Sequence, residues 1–354
     1  MKKYDFNNLS KDDLIELLAT TDKELIQKTY DEAYKVKLKY VGNTVYFRGL
    51  VEFSNVCVKD CLYCGIRKGN DHVDRYSLSK EEILASAKWA YDHNYASLVL
   101  QSGERSDEEF VSFVESVLTE VTEKYQLGIT LSLGEQTRET YRRWRAAGAS
   151  RYLLRIESSN REIFKLIHPD DCDFDKRLQA IYDLRAEDYQ VGTGVMIGLP
   201  TQTAEDLAND ILFFKEHDID MIGMGPYIVH HDTPLAKKMV NYNPEHQLEL
   251  GLKMVALTRL YLKDVNIAST TALQTLDKIG RELGLLAGGN ICMPVVYESV
   301  NRKNYLLYDN KPALTETSEE NMRGFEKSIH KIGENIGYGV MGNSKHYKKR
   351  KENG

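Results

Sequence analysis

Three of the five cysteines fall within eight residues, in Asn55-Val56-Cys57-Val58-Lys59-Asp60-Cys61-Leu62-Tyr63-Cys64-Gly65. The spacing is C-x3-C-x2-C, with an aromatic side chain directly before the last thiol. Thiolates are the usual protein ligands of iron–sulfur clusters, which ordinarily require four. Three close ones can hold a cubane and leave one iron vacant, much as a catalytic zinc keeps an open position. Cys57, Cys61 and Cys64 are therefore the metal ligands expected for a [4Fe-4S] cluster. A zinc site would need a fourth ligand from His72 or Asp60, and the spacing fits no common zinc pattern. Three structural thiols on so short a loop would be unlike core packing. Cys172 and Cys292 stand alone and read as inert.

Such a loop needs a frame to hold it. Strand-like apolar runs recur at Val45–Val56, Ser97–Gln101, Ile129–Leu133, Tyr152–Ile156, Gly194–Leu199, Met221–Ile228, Asn266–Thr271 and Ile291–Val296. Amphipathic helical stretches lie between most of them. Ser79 with Glu82 makes a capping box ahead of one, Thr203 starts another, and Asn243-Pro244 opens the longest. Strand then helix, eight times over, predicts an α/β protein with a (β/α)8 TIM-type barrel. Ser10 and Thr21 read as caps of two earlier helices. The expected division is an N-terminal helical extension over 1–42, the barrel over 43–330, and a C-terminal segment over 331–354. The Lys/Arg-rich run at 345–351 reads as a solvated, frayed end.

Reactive groups of such barrels sit at the C-terminal ends of strands. The cysteines follow the first predicted strand. Gln101, Ser102, Gly103 and Glu104 end the second, Thr130, Ser132, Gly134 and Glu135 belong to the third, and Arg155 and Glu157 to the fourth. Together they offer acceptors for an ammonium and donors for a carboxylate, with Arg177 placed to meet a carboxylate bidentately. His230-His231-Asp232 invites a metal reading. Neighbouring histidines on a strand point to opposite faces, however, so a rim loop is expected instead.

The chain has 354 residues, 42% of them hydrophobic and 28% charged, with a formal charge of −6. That composition suits a soluble globular domain without the basic surface of a nucleic-acid binder. No run reaches the roughly 18 apolar residues of a membrane span, and the polar start lacks a signal-peptide pattern. A cytoplasmic location is expected, with neither nucleic acid nor membrane as partner.

The cysteine loop resembles the defining motif of the radical S-adenosylmethionine (SAM) superfamily. Further motifs are similar to those of the HydE family, the radical SAM maturases of [FeFe]-hydrogenase. They include Val51-Glu-Phe-Ser-Asn55, Val99-Leu-Gln-Ser-Gly-Glu104, Thr130-Leu-Ser-Leu-Gly-Glu135, Arg151-Tyr-Leu-Leu-Arg155, Met196-Ile-Gly-Leu-Pro-Thr-Gln-Thr203 and His231-Asp-Thr-Pro-Leu-Ala236. The likeness runs from about residue 45 to about 310. It implies that SAM binds the open iron and is reductively cleaved to a 5′-deoxyadenosyl radical.

By position it implies that Gln101, Ser132, Glu157 and Arg177 hold SAM, with Ser102, Gly103, Glu104 and Tyr63 beside it. Thr130, Arg155, Thr270, Thr271 and Tyr308 would line the substrate cavity, Arg155 and Tyr308 taking catalytic parts. The implied substrate is an Fe(CO)2(CN)-type complex carrying cysteine. The implied partners are a ferredoxin or flavodoxin as electron donor and the other hydrogenase maturases. Two departures stand out. Ile156 replaces a family histidine expected to face the active site, and no cysteine follows Cys292. Competing readings are a methylornithine synthase-like or biotin synthase-like enzyme with an amino-acid-derived or thioether substrate, and a non-catalytic metal-carrying scaffold.

Overall fold

The computed structural model describes residues 2–239, 242–297 and 300–353. Seven parallel strands lie side by side in chain order: β1 Gly49–Ser54, β2 Ser97–Ser102, β3 Gly128–Ser132, β4 Ala149–Leu153, β5 Gln190–Thr193, β6 Met221–Ile222 and β7 Asn266–Ile267. An eighth, β8 (Ile291–Cys292), closes the ring. Asn290 N–H donates to Ile267 O and Ser269 N–H to Ile291 O, each at 2.9 Å, on the β7 side. On the β1 side Leu50 N–H donates to Pro294 O at 2.8 Å and Val296 N–H to Leu50 O at 3.1 Å. The result is the expected (β/α)8 barrel. Its strands carry apolar residues on both faces, as a sheet needs when helices cover one side and a packed interior the other.

Register decides which side chains meet at the mouth. Glu52 pairs with Gln101, and Gln101 with Ser132, so the polar ends of β1, β2 and β3 stand in one row. The pairing of β1 with β2 shifts between Glu52 and Ser54, immediately before the cysteines. A bulge there turns the chain out of the ladder into the loop. The helix starts are largely as read. Ser10, Ser79 and Thr203 each make a capping box, but Asp22, not Thr21, caps the second helix by accepting from Glu24 and Leu25 N–H.

Strand five departs from the reading. The apolar run Gly194–Leu199 was expected to form it, yet the barrel strand is Gln190–Thr193. Met196–Ile197 instead makes a small ladder with Gly225–Pro226 above it. Gln190 is polar but buried at the bottom of the barrel, where its Oε1 accepts from Ser344 N–H at 2.7 Å.

The basic tail is not a frayed end. Lys345–Asn353 forms a helix across the N-terminal ends of the strands. There it meets the acidic residues that precede β6 and β7. Arg350 pairs with Asp220 at 2.8 Å and Asp218 at 2.7 Å, and Lys349 with Asp264 at 2.6 Å. Met341 O and Gly342 O accept from Arg151 Nη2 and Asn266 Nδ2, each at 2.8 Å. Asp220 is wholly buried, so Arg350→Ala would leave its carboxylate with Val191 N–H at 2.8 Å and the more distant Arg185 at 3.9 Å. A loss of roughly 1–3 kcal/mol is expected, below the value for a fully buried pair because Arg350 stays partly in water. Thermal unfolding checks this, and an unchanged midpoint would contradict a docked helix.

Candidate active site at the barrel mouth

The bulge after β1 delivers Cys57, Cys61 and Cys64 to the wall of a cavity of ≈ 310 Å³ at the strand C-termini. Gly103 is what lets β2 end beside them. A Cβ there would fall 2.3 Å from Val56 O and 2.8 Å from Cys57 Cβ. Glu104 N–H, the next amide, donates to Cys57 Sγ at 3.3 Å. Burial pushes the thiols up, Cys57 and Cys64 among them, Cys64 to about 12. Packed together, three such thiols stay protonated unless a positive centre draws off their protons, and a bound metal inverts that balance. The donor set fits an iron–sulfur cluster.

Cys172 was read as inert, and the structure corrects its isolation. Its thiol lies beside that of Cys61, and this contact, together with burial, pushes the Cys61 thiol well up. Two backbone-linked contacts bring this segment in: Leu62 N–H donates to Ile167 O at 2.9 Å, and Tyr63 meets His168 edge-on at 5.6 Å between ring centres. Cys292 is buried in the core, away from the cavity.

The other expected residues divide into those that share the cavity and those that do not. Tyr63, Gln101, Ser102, Gly103, Glu104, Ser132, Arg155, Glu157, Arg177, Thr270 and Tyr308 line it with the cysteines. Thr130 lies a layer deeper, lining a cavity of ≈ 30 Å³ with Arg48 and Met221. Thr271 lines neither and opens the short helix Thr271–Leu276. Ile156 is wholly buried in the core and absent from the cavity wall, so its replacement of a histidine leaves the polar lining untouched. Arg155 and Glu157, on either side of it, face in.

Charge in the site is arranged in ion pairs: Arg177 with Glu135, Arg155 with Glu157, and Lys59 with Glu104 at 3.5 Å. Arg177 is buried. Burial works against its charge, but Glu135 and Glu104 outweigh that and hold it above its ordinary range. Its Nε donates to Glu135 and its Nη1 to Arg155 O at 2.6 Å. With both committed, the expected bidentate hold on a ligand carboxylate narrows to Nη2. Gly134 (φ +75°) allows this pairing, since a Cβ there would strike the Glu104 carboxylate at 2.1 Å. Arg155 Nη2 lies 2.9 Å from Glu157 Oε2, off the line of a hydrogen bond. Arg155 Nε and Nη2, Glu157 Oε2 and Thr270 Oγ1 are thus buried with no hydrogen-bond partner among the described residues. Groups left so are costly unless a ligand satisfies them. Glu157 has φ +66°, a conformation uncommon for a side-chain-bearing residue, and its Oε1 accepts from Tyr63 OH at 3.3 Å.

Sequence reasoning missed a strap across the mouth. Gly65 N–H donates to Leu307 O at 3.0 Å, Asn55 Nδ2 to Asn304 O at 2.7 Å, and Asp309 N–H to Val229 O at 3.1 Å. Lys311 anchors it on buried Glu52 at 2.6 Å. The strap places Tyr305 in the cavity, its hydroxyl accepting from Gln101 Nε2 at 3.1 Å. Irregular backbone carries no periodic signal, so only Tyr308 was singled out.

Behind Glu157 lies a buried acid. Asp210 Oδ1 accepts from Ser159 N–H at 2.7 Å and Oγ–H at 2.6 Å, and Oδ2 has no hydrogen-bond partner among the described residues. Burial pushes its carboxyl up to about 7. A folded-state value above the unfolded one means the folded state holds the proton more tightly. The associated stability is complete below about pH 3.9 and is lost as pH rises through 7. Asp210→Asn should remove that slope, of the order of 4 kcal/mol. Unfolding midpoints of both proteins from pH 5 to 8 check it, and parallel curves would contradict it.

Comparison with known proteins agrees with this geometry. Residues 51–214 match the family model "Radical SAM superfamily". The chain is 40% identical over 337 residues to the [FeFe] hydrogenase maturase subunit HydE of Thermotoga maritima, covering 95% of this chain and 94% of that one. It is 26% identical to the 3-methylornithine synthase of Methanosarcina acetivorans, over 85% of this chain and 83% of that one. Among solved structures, methylornithine synthase (PylB) superposes with a TM-score of 0.79 at 24% identity, covering 93% and 94% of the two chains. The hydrogenase maturase HydG of Carboxydothermus hydrogenoformans gives 0.79 at 21%, covering 96% and 78%. Among the described residues no helix is long and apolar enough to cross a membrane.

Proposed function

Because this chain belongs to the radical SAM superfamily, and within it to the HydE maturases, we propose that it processes an anionic, cysteine-bearing iron–carbonyl–cyanide complex during [FeFe]-hydrogenase maturation. A [4Fe-4S] cluster on Cys57, Cys61 and Cys64, with SAM, supplies reductive C–S cleavage and a 5′-deoxyadenosyl radical when bound. The protein's own groups do the rest. Gln101, Ser132 and Tyr63 stand between cluster loop and cavity, where they orient the nucleoside. Glu157 would accept from its ammonium, and Arg177 would donate to its carboxylate. The strap, with Tyr305 and Tyr308, excludes water from the reacting carbon.

One observation carries the substrate class: the Arg155 guanidinium lines the cavity with its buried Nε and the Thr270 hydroxyl lacking a hydrogen-bond partner among the described residues, and its Nη2 in an ion pair with Glu157. Such donors suit cyanide nitrogens or a carboxylate. The test is anaerobic. Cluster-loaded protein with SAM and a chemical reductant should give 5′-deoxyadenosine, accelerated by a synthetic iron–carbonyl–cyanide–cysteine complex. Acceleration by an amino acid or thioether, and none by the iron complex, would replace this substrate with an amino-acid-derived one. A ferredoxin or flavodoxin as reductant and the other maturases as recipients belong to the same proposal.

A further inference from the structure

Glu157 faces the cavity from a left-handed backbone conformation, φ +66°, that a side-chain-bearing residue seldom adopts. Such a conformation persists only where its surroundings over-determine it. On one side the chain after β5 holds it: Glu157 N–H donates to Gly194 O and Met196 N–H to Glu157 O, each at 3.0 Å. On the other side two acids of the helix Ala204–Glu216, one turn apart, grip the residues that follow. Asp210 Oδ1 accepts both the N–H and the hydroxyl of Ser159, and Asp206 Oδ1 accepts from Asn160 Nδ2 at 2.7 Å.

The grip reaches beyond Glu157. Asn160 also caps the helix Arg161–Ile167, accepting from Glu162 and Ile163 N–H. That helix ends on the cluster loop, where Ile167 O accepts from Leu62 N–H at 2.9 Å, between Cys61 and Cys64. Leu62 packs against the apolar cluster that holds Ile163 and Ile167. One clamp therefore stands behind both the Glu157 carboxylate and the loop that carries the cysteines. Asp210 is a costly part of it, wholly buried and with Oδ2 unmatched among the described residues. An unmatched buried carboxylate oxygen costs stability, and costs of this kind collect where geometry serves function.

We propose that Asp210 is a positioning residue for SAM: by holding Ser159 it sets the Glu157 carboxylate where a ligand bridging Glu157 and the cluster loop requires it. The inference rests on the reading that Glu157 takes the SAM ammonium.

The experiment is an anaerobic calorimetric titration of the cluster-loaded protein with SAM, the cluster kept oxidised so that no cleavage occurs. Asp210→Ala should weaken binding by about 10–100-fold, with iron content unchanged. Asp210→Asn keeps an acceptor at Oδ1 and should bind SAM as wild type does. Ser159→Ala removes the hydroxyl bond alone, leaves no new charge buried, and should also weaken binding, so the test stands even if Asp210→Ala does not fold. Glu157→Gln should weaken binding by itself. Wild-type affinity in Asp210→Ala or Ser159→Ala, with Glu157→Gln impaired, overturns the clamp alone. Equal loss in Asp210→Asn and Asp210→Ala overturns it too, because the acceptor would then not be what matters. Wild-type affinity in Glu157→Gln overturns the reading of Glu157 and the clamp with it.

Discussion

Cys61→Ala, prepared and reconstituted without oxygen, should lose the brown iron–sulfur chromophore and all reductive cleavage of SAM. A cubane that already leaves one iron to a small molecule has no ligand to spare. The loop also supplies no replacement of its own: Asp60 is engaged by Arg67 and Gly69 N–H, and His72 by Asp232. Cys64→Ala should behave identically. The contrast matters because the Cys172 thiol lies beside Cys61. If colour survives in Cys61→Ala but disappears in Cys61→Ala/Cys172→Ala, the neighbour has moved in as ligand. If colour and 5′-deoxyadenosine persist in Cys64→Ala, the assigned ligation is wrong. Iron and sulfide analysis, with the visible spectrum, decides between these outcomes.

The cluster ligands were legible because their chemistry is local. Three thiols within eight residues need no tertiary information to be brought together. The barrel was legible because each strand–helix repeat writes its own hydrophobic period, and caps such as Ser79 with Glu82 act within one turn. What failed depended on distant partners. Gln190 begins a barrel strand because Ser344, 154 residues away, satisfies its side chain. The charge run at 345–351 became a docked helix because Asp218, Asp220 and Asp264 await it at the barrel floor. The histidine that Ile156 replaces was expected by analogy to face the site, but the chain path turns residue 156 into the core while Arg155 and Glu157 face the cavity. His230 and His231, by contrast, lie in the rim loop expected of them.

The second large effect should fall on coupling rather than on radical generation, and Arg155 is where to look. Arg155→Met removes the guanidinium whose Nε has no hydrogen-bond partner among the described residues and whose Nη2 pairs with Glu157, 2.9 Å away. The cysteine ligands, Gln101 and Ser132 are untouched, so cluster content should stay near wild type; Glu157 loses its ion-pair partner, so 5′-deoxyadenosine formation without substrate is measured alongside as the reference. Turnover of the iron complex should fall by about 10²–10³-fold, the cost of deleting one preorganised donor to developing charge in a water-poor site. Arg155→Lys separates charge from geometry: an ammonium keeps the positive charge beside Glu157 but cannot present two parallel donors. It should recover little, because the cavity offers a fork to its ligand and not merely a field. The quantity to measure is product formed per 5′-deoxyadenosine released. A ratio that stays at the wild-type value in Arg155→Met, with the cluster intact, would show that the substrate is held elsewhere.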